Sequence, residues 1–246
     1  RGKPCVRVGV IHPIESYWLK FSSNDVNSPL RADMEKNFTE IIERLLFSTI
    51  DFDFISESLI PSLNKETDKP KLCIGEMKYD AVIVPNLVTI RSTTLETLKK
   101  FKERGGKLIF VGECPTCVDG ELSDEAKALF ASSKCFTSAS SSLSEYLSGV
   151  RDIKIYVNNA LSSDLIYNMR EDGDTKYLFI ARAKNHGNAD VYKKDSLEIN
   201  ISGEYKAEIL DTLTGEIYDA SYESRNGITK IYKDIYFSDS LLLRLT

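Results

Sequence analysis

The pattern of apolar and polar positions changes character near residue 150. Before that point, continuous apolar runs alternate with stretches of helical period. Val6-Arg7-Val8-Gly9-Val10-Ile11 is apolar except at Arg7, as expected of a parallel strand buried on both faces. A polar loop follows. The next segment, 31–48, predicts a helix, because Met34, Phe38, Ile41, Ile42, Leu45 and Leu46 recur three or four apart and form one stripe. Phe52-Asp53-Phe54-Ile55 predicts a second strand. The polar, proline-bearing "PSLNKETDKPKL" predicts a surface excursion. Tyr79 to Val84 predicts a third strand, stopped by Pro85. Thr93 with Glu96 reads as a capping box for a helix carrying Leu95, Leu98 and Phe101, which stops at Gly105-Gly106. Lys107 to Val111 predicts the fourth strand, and Ser123 an N-cap for a short helix over "LSDEAKALF". Strand and helix in this order, with short loops, predict a doubly wound parallel sheet.

Around Ser138 to Ser148 the composition turns serine-rich, and from Arg151 helical periodicity disappears. Short runs with β-branched and aromatic residues replace it: "DIKIYV", "DLIYNM", "KYLFIARA", "SLEINI", "YKAEIL", "ITKIYKDIYF" and "LLLRL". Turn pairs such as Asp172-Gly173, Thr214-Gly215 and Asn226-Gly227 separate several of them. An antiparallel β-sandwich accounts for this pattern. The expected fold is therefore an α/β, flavodoxin-like parallel sheet over residues 1–150, followed by a β-sandwich over 151–246.

Composition narrows the partners. The 246 residues carry a net charge of −5, which argues against nucleic acid, since phosphate binding requires a basic face. No apolar run is long enough for a membrane span, and no signal peptide is visible. The five cysteines are odd in number, and Cys5 and Cys73 lie in apolar runs, a usage that points to a reducing, cytoplasmic setting rather than a secreted one. The opening Arg1-Gly2-Lys3-Pro4 has no initiator Met and reads as the start of an excised piece of a longer protein. Two glycosylation sequons, at Asn37 and Asn200, fall within a predicted helix and a predicted strand and read as coincidence.

The most conspicuous chemical motif is "VGECPTCVDG", residues 111–120. Its Cys-x-x-Cys follows a strand, as a redox dithiol would. A dithiol of that kind, however, opens a helix whose dipole lowers the thiol pKa, and here Asp119-Gly120 announces a turn. A zinc site needs two further ligands. The remaining cysteines stand alone, and the only histidines are His12 and His186. A loop with two incidental thiols is the favoured reading. No metal site and no cofactor are expected.

The second candidate is His12-Pro13-Ile14-Glu15-Ser16-Tyr17-Trp18, after the first strand. Open parallel sheets bind ligands outside the C-terminal strand ends, where the strand order reverses. His12, Glu15, Ser16 and Trp18 would there face Asn86, Arg91 and Thr93, and the set suits stacking on a sugar and hydrogen bonding to it. The favoured alternative makes Tyr17 and Trp18 plugs of a domain contact and His12 a cap on a strand end. A catalytic carboxylate pair cannot be singled out among 37 acidic residues, and the α/β half is too short for an eightfold barrel.

Two resemblances enter on these residues. "YDAVIVPN" and "KLIFVGEC" resemble the layout of class I glutamine amidotransferase domains, which place a catalytic cysteine after this strand within Gly-x-Cys-x-Gly. Gly112-Glu113-Cys114-Pro115-Thr116 departs from that motif. The second glycine is missing, Pro115 has no N–H for an oxyanion hole, and no downstream His-x-Glu follows. The resemblance implies the fold and not the activity. Over nearly the whole chain, "RVGVIHPIESYWLKF", "IDFDFISESLIP", "ILDTLTGEIYDA" and the closing "FSDSLLLRLT" look like the non-catalytic C-terminal region of large bacterial glycoside hydrolases. The α-L-rhamnosidase-like and family-2-like or β-galactosidase-like enzymes are meant, whose amidotransferase-like domain is similar to the β-galactosidase trimerisation domain. What this resemblance implies is an accessory region in carbohydrate breakdown, with no catalytic residue of its own. Its partners would be the catalytic domain of the same parent chain, a carbohydrate, or a second copy. Two alternatives stay open: a stand-alone carbohydrate-binding module using His12 to Trp18, and an amidotransferase-like enzyme using Cys114.

Overall fold

The computed structural model describes residues 2–21, 29–184 and 192–246; His186 lies outside them. The chain divides into two compact units. One comprises Val6–Arg44 and Phe52–Val150; the other comprises Arg1–Cys5, Leu45–Asp51 and Arg151–Thr246.

The first is an α/β unit. In chain order its principal elements are β1 (Val8–Ile11), α1 (Ile14–Leu19), α2 (Pro29–Leu46), β2 (Phe52–Ile55), β3 (Ala81–Val84), α3 (Ser92–Glu103), β4 (Lys107–Val111), α4 (Glu125–Ser132), β5 (Lys134–Phe136) and α5 (Ser141–Tyr146). The five strands hydrogen-bond in the order β2-β1-β3-β4-β5, with every neighbouring pair parallel. Val8 lies opposite Phe52 on one side and Ala81 on the other, so β1 is central. All four residues of β1 and of β3 are buried, which is why these strands read as unbroken apolar runs. Ile11, Val82, Val84, Leu95, Leu98, Phe101 and Phe110 belong to one core cluster. Arg7, the exception in the first run, precedes β1, and its Nε donates to Asp80 Oδ2 at 2.7 Å.

Several local expectations differ from the structure. The "HPIESYW" stretch is not a loop: Ile14–Leu19 is helical, entered from Pro13. The polar excursion after β2 lies at the surface, as expected, but has secondary structure of its own. It forms a one-turn helix, Ile60–Leu63, and a three-stranded antiparallel sheet of Asn64–Lys65, Leu72–Ile74 and Met77–Tyr79. The Thr93–Glu96 capping box does not form, because the N-cap position is Arg91 and Thr93 already lies within the helix. Side chains from elsewhere in the unit take up the free donors instead. Asp119 Oδ1 accepts the Ser92 N–H at 3.0 Å, and Glu57 Oε2 accepts that of Arg91 at 2.8 Å. The far end of α3 follows expectation: Gly105 has φ +87° and donates to the Lys102 carbonyl. At α4, Ser123 Oγ accepts the Glu125 N–H at 3.2 Å, while Asp124 occupies the N-cap.

The second unit is a β-sandwich of two antiparallel sheets. One has six strands in the order Lys3–Pro4, Leu165–Asp172, Thr175–Arg182, Ser240–Leu245, Ala207–Leu210, Ile217–Asp219. The other has five, in the order Ala160–Leu161, Ile153–Val157, Lys194–Ser202, Ile228–Tyr236, Ser221–Arg225. Their alternating inward residues, among them Ile155, Leu178, Ile199, Ile231 and Leu243, make one core. This unit recruits two segments from the first half of the sequence. Lys3 and Pro4 pair with Glu171 and Arg170, and Thr49, buried with φ +53°, donates its hydroxyl to the Ile153 carbonyl at 2.8 Å.

A candidate cleft at the strand-order switch

The order of the parallel sheet reverses between β1 and β3, so the segments after these strands diverge and leave a gap at their C-terminal ends. The segment after β1 turns into α1. The segment after β3 runs through the two-residue strand Thr89–Ile90 to the start of α3. Thr89–Ile90 pairs in parallel with Cys117–Val118, which folds back on Glu121–Leu122 as a hairpin. Between these pieces lies a cleft of about 330 Å3 lined by Glu15, Trp18, Thr89, Arg91, Asp119 and Gly120, with Leu19 beside them.

Hydrogen bonds hold this constellation in place. Arg91 Nε donates to Glu15 Oε1 at 2.9 Å. Ser16 Oγ accepts the N–H groups of Val88 and Thr89, both at 3.1 Å, and donates to the Thr89 carbonyl at 3.0 Å. The Thr89 hydroxyl accepts the Gly120 N–H at 3.0 Å. Bonding to Ser92 holds the Asp119 carboxyl below the usual carboxylate range. Glu57 is buried against Arg91, and its desolvation pushes its carboxyl up to about 7.

The six residues expected to form one site therefore divide. Glu15, Trp18 and Arg91 share the cleft, with Trp18 65% exposed and its ring available. Ser16 is fully buried, and its hydroxyl is engaged by backbone, so it fastens α1 and does not face a ligand. His12 stands apart, edge-on to Phe38 and Phe54 at 5.6 and 5.8 Å. Asn86 bridges other loops: its backbone N–H donates to Asn37 Oδ1 at 3.0 Å, its Nδ2 to Asp33 Oδ2 at 3.2 Å, and its Oδ1 accepts from Glu113. Glu57 carries no motif in the sequence, Thr89 precedes Arg91 by two residues without marking itself, and Asp119 stands out only as a turn residue of the cysteine motif; the fold is what brings Glu57 and Asp119 to the start of α3.

The cysteine motif is separated by the same hairpin. Cys114 lies in the loop after β4, whereas Cys117 is buried in the short strand. All five cysteines are free thiols, and Cys117 sits in a strand and not at a helix start. Burial raises the Cys114 thiol. Among the described residues no group of three or more His, Cys, Asp or Glu side chains is arranged to hold a metal ion.

No family profile and no curated protein matches the chain. Solved structures do. The chain aligns over 99% of its length with a rhamnosidase from Novosphingobium sp. PP1Y, at a TM-score of 0.66 and 13% identity, covering 23% of that chain. It aligns over 99% with a GH42 beta-galactosidase from G. stearothermophilus, at 0.63 and 10%, covering 40%. With alpha-L-fucosidase isoenzyme 2 from Paenibacillus thiaminolyticus the figures are 98%, 0.57, 11% and 48%. The fold occurs within glycoside hydrolases. At such identities the likeness is one of fold, and this chain spans less than half the length of each of these three.

Proposed function

We propose that the chain is an accessory, non-catalytic region of a multidomain glycoside hydrolase, with a flavodoxin-like, amidotransferase-like unit joined to a β-sandwich. The observation that carries the reading is the asymmetry of coverage: 98–99% of this chain matches glycoside hydrolase structures of which it forms 23–48%. The β2-β1-β3-β4-β5 order supports the flavodoxin-like description. Its role would be to form a wall beside a neighbouring active site or to join copies of the parent enzyme. Trp18, Phe21 and Leu122, exposed by 65%, 70% and 87%, are large apolar side chains suited to such a contact.

Cys114 weighs against an amidotransferase. Its thiol is raised, Pro115 follows it, and the charged groups that act on it are Lys127 and Asp124, neither of which is a histidine base. The purified chain should hydrolyse neither aryl glycosides nor glutamine. Glutamine turnover lost in Cys114→Ser would overturn the reading, and sedimentation would show whether the chain alone self-associates.

A second reading is favoured by one observation, the exposed Trp18 ring beside Glu15, Arg91 and Asp119. A ring flanked by charged hydrogen-bonding groups suits a saccharide. Titration with neutral oligosaccharides, with Trp18→Ala as control, decides between a sugar-binding cleft and a protein-contact surface.

A further inference from the structure

One side chain next to the cleft is used by neither reading. We propose that Glu57 is a proton-binding group that sets the charge of the cleft, adding a second carboxylate to the Glu15–Arg91 pair when its proton leaves. Glu57 is fully buried, and its carboxyl is only half satisfied. Oε2 accepts the Arg91 N–H at 2.8 Å, whereas Oε1 has no hydrogen-bond partner among the described residues. The Arg91 side chain is directed elsewhere, with Nε on Glu15 Oε1 at 2.9 Å, and Glu15 Oε2 is likewise buried without a partner. The guanidinium thus pairs with Glu15, and Glu57 is left with the Arg91 backbone N–H. The Thr94 hydroxyl, on the first turn of α3, is close enough to Glu57 to favour its charged form, but Thr94 Oγ1 is not within good hydrogen-bonding geometry of any partner among the described residues.

A proton on Oε1 relieves this arrangement. It removes the charge from a buried oxygen that lies beside a second carboxylate, and the neutral carboxyl and the Thr94 hydroxyl can then hydrogen-bond in either sense. The charged groups facing Glu57 are Glu15 from α1 and Arg91 from the start of α3; Asp119, from the hairpin, faces Arg91. Burial raises the carboxyl to about 7, the Arg91 N–H and Thr94 oppose the rise, and the charge on Glu15 adds to it. Below neutrality the cleft holds Glu15, Asp119 and Arg91 as its charges. Above it, Glu57 is ionised as well, and a buried carboxylate without full compensation loosens the contact between α1 and the start of α3.

Trp18 reports on this directly, being the chain's single tryptophan and a wall of the same cleft as Glu15 and Arg91. Its fluorescence, titrated between about pH 5 and 9, should show a transition near neutrality. Glu57→Gln should abolish the transition, Glu15→Gln should move it to lower pH, and His12→Asn should leave it in place. A transition retained in Glu57→Gln, or lost in His12→Asn, overturns the proposal. The unsubstituted chain gives a second measurement should Glu57→Gln fail to fold. With 13C-labelled glutamate, one side-chain carboxyl should titrate near neutrality, well above the rest. Its absence overturns the proposal, as does such a carboxyl paired with a flat Trp18 signal.

Discussion

Arg91 Nε donates to Glu15 Oε1 at 2.9 Å, and this one contact ties the helix that follows β1 to the helix start that follows β3. Arg91 is 38% exposed in its side chain and Glu15 only 12%, so the pair is half-buried and asymmetric. Arg91→Met leaves the less exposed partner uncompensated and should cost roughly 2 kcal/mol in urea unfolding, more than an exposed ion pair contributes. Glu15→Gln should recover part of that loss in the double variant. A cycle with coupling below about 0.3 kcal/mol would reduce the contact to an ordinary surface pair.

Ser16 should matter for stability and not for binding. Ser16→Ala leaves two backbone N–H groups and one carbonyl in a buried setting without their hydroxyl partner. A loss of about 2 to 4 kcal/mol is expected, together with faster amide exchange at Val88 and Thr89. Oligosaccharide affinity, if the chain has any, should be unchanged in whatever fraction remains folded. Lost affinity at full stability would restore Ser16 to a ligand-facing role.

Which elements were legible in the sequence follows from their length and burial. β1 and β3 are buried throughout and β4 from Leu108 onward, so these positions had to be apolar or glycine and the runs were visible. α2 has 18 residues, long enough for its stripe to repeat. α1 has six, starts after a proline and exposes Trp18 and Leu19, so no period could emerge, and it reads as a loop. β5 and α5 were missed for similar reasons: three residues at a sheet edge, then six dominated by serine. The Glu15–Arg91 approach was legible because the switch-point rule brings those two loops together. The burial of Glu57 was not. It depends on tertiary packing, and no local pattern separates that glutamate from the other 36 acidic residues.

Gly112 is held by a close approach and not by the cysteine motif it opens. It has φ +112°, and a β-carbon there would lie 2.8 Å from Asn86 Cβ. Gly112→Ala should destabilise by about 2 kcal/mol or more, since backbone strain and the clash with the loop after β3 act together. Asn86→Gly removes the obstructing side chain and should soften the effect of Gly112→Ala. Equal cost in both backgrounds would leave backbone strain as the sole cause.

The Cys114 thiol should be sluggish. Burial raises it, with nearby Cys135 and Asp124 adding to the effect and Lys127 opposing it. Alkylation by iodoacetamide at neutral pH should run several-fold slower than for an unhindered cysteine, because the thiolate is the reacting form. Unfolding in urea should abolish the difference. A faster rate in the folded chain would signal an activated thiol and reopen the question of nucleophilic chemistry at this loop.

The pH dependence of stability tests Glu57 in a further way. Its carboxyl stands at about 7 in the folded chain against an ordinary 4.5, so between those values the folded state holds a proton that the unfolded state has released. Fewer protons on the unfolded side mean that stability falls as pH rises. The contribution is therefore most favourable below about 4.5, declines through the interval, and levels off above about 7, a total of about 3 kcal/mol. Glutamine carries no charge at any of these values. Glu57→Gln should thus match the parent chain near pH 4 and exceed it near pH 8 by up to about 3 kcal/mol in urea unfolding. Parallel pH profiles for the two chains would mean that Glu57 is ionised throughout, with its charge fully met by Arg91.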